Sequence, residues 1–215
     1  MTAVNIHVAA WHIDVFTDSA IFDLAKGGIV EGFGSKVIPL PHQGAVMAAT
    51  GYSWVSIVMA GVIATTGIET FDQLSERLPA LISNAVKNDP GGSSAYGKFE
   101  LAIAGFSEAR QAPEAYVLYS YADQGWPAWH LRKVGNYTSP KVSRRFDPSD
   151  PVGSGLRIIE DQRSELCGAR GFDGIACHAV GGVAQHTRLD RDGITIKGIR
   201  RWPDVVGEKI EAGAA

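Results

Sequence analysis

The feature that most constrains the fold is a change of period at Gly51. Before it the chain offers short β-like runs, and after it apolar residues recur at helical spacing. Residues 4–10 (VNIHVAA) and 13–17 (IDVFT) are rich in β-branched residues and separated by Trp11 and His12, which predicts two antiparallel strands in a hairpin. Residues 36–40 (KVIPL) and 44–50 (GAVMAAT) predict a second pair joined by a Pro-containing turn, with Gly51 where the chain must change direction.

Two helices are expected next, over 53–65 and 71–88. The apolar run Trp54 to Ile68 is broken by Ser56, Gly61 and Thr65 and falls short of the roughly 20 residues a bilayer span needs, so it reads as a buried helix. In the second helix Phe71, Leu74, Leu78, Leu81, Ile82 and Val86 recur near 3.6 spacing, and Pro79 is expected to kink or divide it. Thr70 followed three positions later by Gln73 fits a capping box, and Asn88-Asp89-Pro90-Gly91-Gly92-Ser93-Ser94 ends the segment.

Strands return at 98–106, 115–121 and 127–134, predicted to be adjacent. A polar connection from Lys133 to Pro151 then leads through Gly153-Ser154-Gly155 into a helix at 156–167. Residues 183–189 and 193–199 close as a hairpin around Asp190-Arg191-Asp192-Gly193, and the chain from Val206 is expected to be loosely ordered. The expected organisation is one domain over residues 1–205 and a tail over 206–215, with sheets that helices cover on one face and that stack on each other with the other: a layered α+β sandwich.

Composition excludes some functions. With 45% hydrophobic residues the chain can bury a sizeable core, and its 20 basic and 23 acidic residues give a formal charge of −3 with both signs scattered. No basic stripe exists to neutralise phosphates, so nucleic acid is not expected as a partner; the densest basic stretch, Lys141, Arg144 and Arg145, reads as a solvated loop. The N-terminal segment lacks a basic stretch followed by an apolar run, which predicts a cytoplasmic protein without a membrane partner. Cys167 and Cys177 read as buried thiols, so the Asn136-Tyr137-Thr138 sequon carries no meaning.

Four stretches share an order with a known family. Thr2, Asp18-Ser19 at the end of Phe16-Thr17-Asp18-Ser19, Lys36-Val37-Ile38, and Ala48-Ala49-Thr50-Gly51 before two helices together resemble the N-terminal nucleophile (Ntn) hydrolases of the proteasome β-subunit type. The resemblance extends by element order over about the first 165 residues. It implies a four-layer αββα sandwich of two antiparallel sheets flanked by helices, and a threonine-type peptidase or amidohydrolase that needs no cofactor or metal. It further implies a homo-oligomer, possibly a ring, acting on a peptide or small amide. The implied nucleophile is Thr2 after removal of Met1, with Asp18, Lys36 and Ser154 as catalytic partners and backbone N–H near Thr50 or Gly51 as oxyanion donor. Lys36 lies slightly later than the family pattern, and an insertion in the loop Phe22 to Gly34 absorbs the difference.

The chemistry is coherent. A Thr hydroxyl becomes a nucleophile when a base takes its proton, and its own free α-amino group can serve. A neighbouring lysine ammonium keeps that amine neutral, and a carboxylate holds the lysine and the Thr backbone in place. Departures from the family are Ala20 in place of a basic residue, Phe22 in place of a small hydroxyl residue, and no match near Gly168 to Gly182 for a later Asp and Ser. Two other functions fit the same residues: a catalytically inert structural or interaction module, and an Ntn amidase on a small molecule.

Other constellations carry less. Cys177 and His178 are sequence neighbours that would point to opposite faces of a strand. His7, His12, His42, His130 and His186 show no ligand spacing, and Ser154 in Gly-Ser-Gly also suits a helix N-cap. Trp126, Trp129 and Tyr137 are expected in core or edge packing, or along a substrate cleft. Gly168, Gly171 and Gly174 lack the strand-turn-helix setting of a phosphate loop.

Overall fold

The computed structural model describes residues 2–23, 26–91, 96–123, 125–166 and 176–213. Among these residues twelve strands run as β1 (Val4–Val8), β2 (Ile13–Thr17), β3 (Ala20–Asp23), β4 (Ile29–Phe33), β5 (Val37–Leu40), β6 (Ala45–Thr50), β7 (Glu100–Ser107), β8 (Ala112–Tyr119), β9 (Leu131–Val134), β10 (Asn136–Ser139), β11 (Val183–Asp190) and β12 (Gly193–Arg201). Among the described residues three α-helices, α1 (Val55–Ala64), α2 (Phe71–Asn88) and α3 (Pro151–Ser164), and a short 3-10 turn at Pro41–Gln43 accompany them. The first sheet has the order β10-β1-β2-β11-β12 and the second β5-β6-β7-β8-β9, every pairing antiparallel.

Side-chain parity decides what each sheet faces. Val4, Ile6, Ile13 and Val15 of the first sheet share one core cluster with Val46, Ala48, Ala102 and Val117 of the second, so these faces meet. Met47, Leu101 and Ile103 point the other way, against Met59, Leu74, Leu78 and Ile82 of α1 and α2. On the outer face of the first sheet, Phe16 and Ala184 pack with Ile159 of α3 and with Trp202. A Cβ on Gly155 would stand 2.4 Å from the Phe16 ring, so glycine there is what lets α3 approach β2. Covered on both sides, β2 is buried at all five positions.

Several expectations change. The loop Phe22 to Gly34 contains the β3–β4 hairpin, apart from Leu24 and Ala25, which lie outside the described residues. The polar connection 133–151 contributes β10, which pairs with β1, so the Asn136 sequon lies on a paired strand. Pro79 does not divide α2: the buried row Phe71, Leu74, Leu78, Ile82 and Val86 holds the helix through it. Thr70 caps the Gln73 N–H as expected, but the Gln73 side-chain Oε1 accepts from Glu69 N–H rather than from Thr70 N–H. Helix α1 is not buried all round, because Ile57 is 66% exposed and Val58 and Trp54 are also open to solvent.

Helix α3 starts at Pro151, with Asp150 accepting from Gly153 N–H as its cap, so Gly153-Ser154-Gly155 lies inside the helix. Nor is the chain loose after Val206. Gly207 N–H donates to Val30 O and Val30 N–H to Glu208 O, while Ile210 is buried with Ala20 and Val30. Cys177 is a buried free thiol, whereas Cys167, Gly168, Gly171 and Gly174 lie outside the described residues, as do Met1, Ser93 and Ser94. No described helix is long and apolar enough to cross a membrane.

Candidate active site

The site grows from the register of two strand pairs. In β1–β2, Val4 stands opposite Thr17, so the preceding Ala3 meets Asp18, and Ala3 N–H donates to Asp18 Oδ1 at 3.0 Å. Asp18 Oδ2 accepts from Ala20 N–H at 3.1 Å and from Gly181 N–H at 3.2 Å. Three backbone segments therefore converge on one fully buried carboxylate. Burial pushes the Asp18 carboxyl above its usual range, while the charge of Lys36 and the N–H groups of Gly181, Ala3 and Ala20 pull the other way.

Lys36 reaches the same point from the second sheet. Its Nζ donates to Ala20 O at 2.6 Å and to Thr2 Oγ1 at 3.2 Å, with Thr2 and Lys36 both buried. The lysine is thus held by the Ala20 carbonyl, and Asp18 fixes the backbone beside Thr2. Sequence reasoning expected the carboxylate to do both. Ala20 itself buries its methyl with Val30 and Ile210. Because Val37 pairs with Ala48, the register carried one residue further sets Lys36 beside Ala49, next to Thr50 and Gly51. Gly51 has φ +111°, and a Cβ there would lie 2.9 Å from Phe99 Cβ and 3.0 Å from Lys98 O, so the turn after β6 requires glycine.

Thr2, Asp18 and Lys36 thus form one hydrogen-bonded group with Thr50 and Gly51 at the same end of the sheets. Ser154 is held elsewhere: its buried hydroxyl accepts from Asp147 N–H at 2.7 Å, bracing the segment before α3, and no hydrogen bond joins it to Thr2. His12 and His186 both bond to buried Asp14 and His7 bonds to Asn136, so these three are engaged away from Thr2.

Sequence reasoning missed the segment that completes the cradle. Gly181 O accepts from Ser19 N–H and Ala20 N–H, and Val183 N–H donates to Ser19 Oγ at 2.8 Å. Behind it, buried Arg163 bonds Asp204 at 2.7 and 2.8 Å and Val180 O at 3.0 Å, while Gly182 N–H donates to Asp204 at 2.6 Å. The pair locks residues 180–182, and hence the Gly181 N–H that Asp18 needs. The available signal was Gly181-Gly182 directly before a strand: a Cβ at Gly181 would run into Asp204 and Arg163, and one at Gly182 into Phe33 and Ser19.

No protein-family profile and no curated protein sequence matches the chain. Among solved structures it is similar to Anbu (ancestral beta-subunit) from Yersinia bercovieri, with a TM-score of 0.63 over 94% of this chain and 89% of that one, at 8% identity. The fold is proteasome-like. The likeness is one of backbone, reached without recognisable sequence similarity.

Proposed function

We infer that the chain is an N-terminal threonine hydrolase that cleaves amide bonds, in peptides, on an Ntn-type four-layer αββα frame. The observation that carries this reading is the Lys36 Nζ at 3.2 Å from Thr2 Oγ1, in a buried group fixed by Asp18. Loss of Met1 would free the Thr2 amine to take the hydroxyl proton as Oγ1 attacks the amide carbon. The Lys36 charge beside it disfavours a second proton on that amine and stabilises the alkoxide as it forms. The oxyanion would sit at the Gly51 N–H, a donor of a kind whose removal costs about 2.7–4 kcal/mol in other acyl-transfer sites. The amine then returns its proton to the leaving nitrogen, and water cleaves the Thr2 ester. Ser154 in this reading supports the fold around the site, through Asp147.

The test is intact mass before and after incubation with a peptidyl epoxyketone or β-lactone. Loss of Met1 with an adduct on Thr2 is the expected result; Met1 retained, or a processed Thr2 that stays unlabelled, would leave the inert structural module as the reading. The cytoplasmic location, the peptide substrate and assembly into a homo-oligomer belong to the same proposal.

A further inference from the structure

At the end of the inter-sheet space where Thr2 and Thr50 lie, the second sheet carries a carboxylate that the chemistry above does not use. Glu100 pairs with Thr50 in the β6–β7 register, and both follow the parity of Ala48 and Ala102, which face the first sheet. Its partners come mostly from across the gap. Ser139 Oγ donates to Glu100 Oε2 at 3.0 Å, Tyr137 OH donates to the same oxygen, and Tyr121 OH donates to Oε1 at 3.0 Å. Ser139 is the register partner of Val4, two residues or about 7 Å of strand from Thr2.

Three properties of this cluster point to a ligand. First, Glu100 forms no ion pair among the described residues, so its charge is met by hydroxyls alone. Burial, with the charge of Glu100, raises the Tyr121 and Tyr137 hydroxyls far above their ordinary range, which keeps both as donors. Second, the carboxylate is ringed by aromatic rings: Tyr119 and Tyr121 stand edge to face at 5.7 Å, and Tyr137 completes the wall. A carboxylate among tyrosine rings suits a guanidinium or ammonium group, which takes charge from one and π density from the others. Third, a cation already near it behaves this way, since the Nζ of exposed Lys98 lies 5.5 Å over the Tyr121 ring. Glu100, Tyr121, Tyr137 and Ser139 are all half-buried, so the cluster opens to solvent.

We propose that Glu100 and the tyrosines 119, 121 and 137 form a recognition pocket for a positively charged side chain, directing basic peptides to Thr2. The substrate class rests on the threonine-hydrolase reading, whereas the pocket itself does not. Lys98 occupies one wall as an internal competitor, so an incoming guanidinium displaces it.

Binding tests the pocket without requiring turnover. Nα-acetyl-arginine amide and its neutral isostere Nα-acetyl-citrulline amide are titrated against the protein by NMR, with Glu100→Gln and Lys98→Ala variants. The arginine probe should bind at least about tenfold more tightly than citrulline, the scale of one good charge–aromatic contact. Glu100→Gln should abolish that preference while near-UV dichroism and Tm stay close to wild type, because the amide keeps one acceptor oxygen and a hydroxyl, unlike a backbone N–H, can turn to accept from its NH2 group. Lys98→Ala, at an exposed position, should tighten arginine binding a few-fold. Equal binding of both probes, no saturable arginine binding, or a preference that survives Glu100→Gln would overturn the proposal. Peptide substrates bearing arginine or citrulline complete the experiment. Selective binding without any hydrolysis would sink the hydrolase reading and keep the pocket; hydrolysis blind to charge would do the reverse.

Discussion

Replacing Asp18 by Asn takes one acceptor away from a point where three buried N–H groups meet. In its better orientation the amide oxygen keeps Ala20 N–H and Gly181 N–H, and the NH2 group then faces Ala3 N–H, donor against donor. Two buried donors, Ala3 N–H and the new NH2 group, are then left without an acceptor, at about 1–3 kcal/mol each. Against this, the amide no longer carries the burial cost that raises the Asp18 carboxyl, leaving a net destabilisation of about 1–3 kcal/mol at pH 7, or roughly 3–10 °C in Tm. The pH dependence has a definite sign. A raised folded pKa means the folded chain binds the Asp18 proton more tightly, so wild type gains stability as pH falls through that pKa towards 3.8. The variant lacks this gain, and the gap between the two widens in acid. Urea melts at several pH values, run beside epoxyketone labelling of Thr2, measure both effects. Labelling should slow by about 100-fold, since freeing Ala3 N–H lets the neighbouring hydroxyl drift. A gap that narrows in acid would show that Asp18 is stabilised by charge rather than penalised by burial. An unchanged labelling rate would refute its positioning role.

Lys36→Met keeps the volume and removes both Nζ bonds, so Thr2 labelling should fall by about 100-fold or more with a native circular-dichroism spectrum. Asp204→Ala leaves Arg163 buried and unpaired; a loss of about 3–5 kcal/mol is expected in chemical denaturation, with slower labelling because the Gly181 segment is released. Burial tends to raise Glu114, but hydrogen bonds from Arg110, Lys133 and Tyr116 outweigh it and hold the carboxyl at about 2. Its contribution is therefore present above pH 4.5 and lost as pH falls towards 2. With both cations partly exposed, that contribution is about 1–2 kcal/mol. Glu114→Gln should flatten the acid limb of the stability curve by that amount.

What the sequence made legible was what side-chain pattern encodes. The α2 stripe, its Thr70 cap and the Asp190–Gly193 hairpin all leave periodic or turn-specific marks, and the structure shows them at those places. Thr2, Asp18 and Lys36 were found together because each uses its side chain. The β3–β4 hairpin and β10 were missed because strands of four or five residues such as NYTS have too little alternation to register, and β10 is defined by its pairing with distant β1. The Gly181 donor was invisible for a different reason: a backbone N–H has the same chemistry at every residue. Ser154 misled because Gly-Ser-Gly imitates a helix start, while the stronger pair Asp150-Pro151 sets the boundary earlier.

The strand order of the first sheet bears on how the chain is made. The β1–β2 hairpin is flanked by β10 on one edge and β11 on the other. A ribosome that has released Thr17 must still add the residues up to Val183 before the second edge can be closed, a wait of roughly 10–30 s at usual elongation rates. Until then the β2 edge of the N-terminal hairpin stays open, while the β1 edge can be covered as soon as β10 has emerged. The same delay applies to the buried carboxylate. Gly181, the third donor to Asp18, lies beyond the same long stretch of chain, so a product cut short before it buries the Asp18 carboxylate with one N–H fewer or leaves it in water.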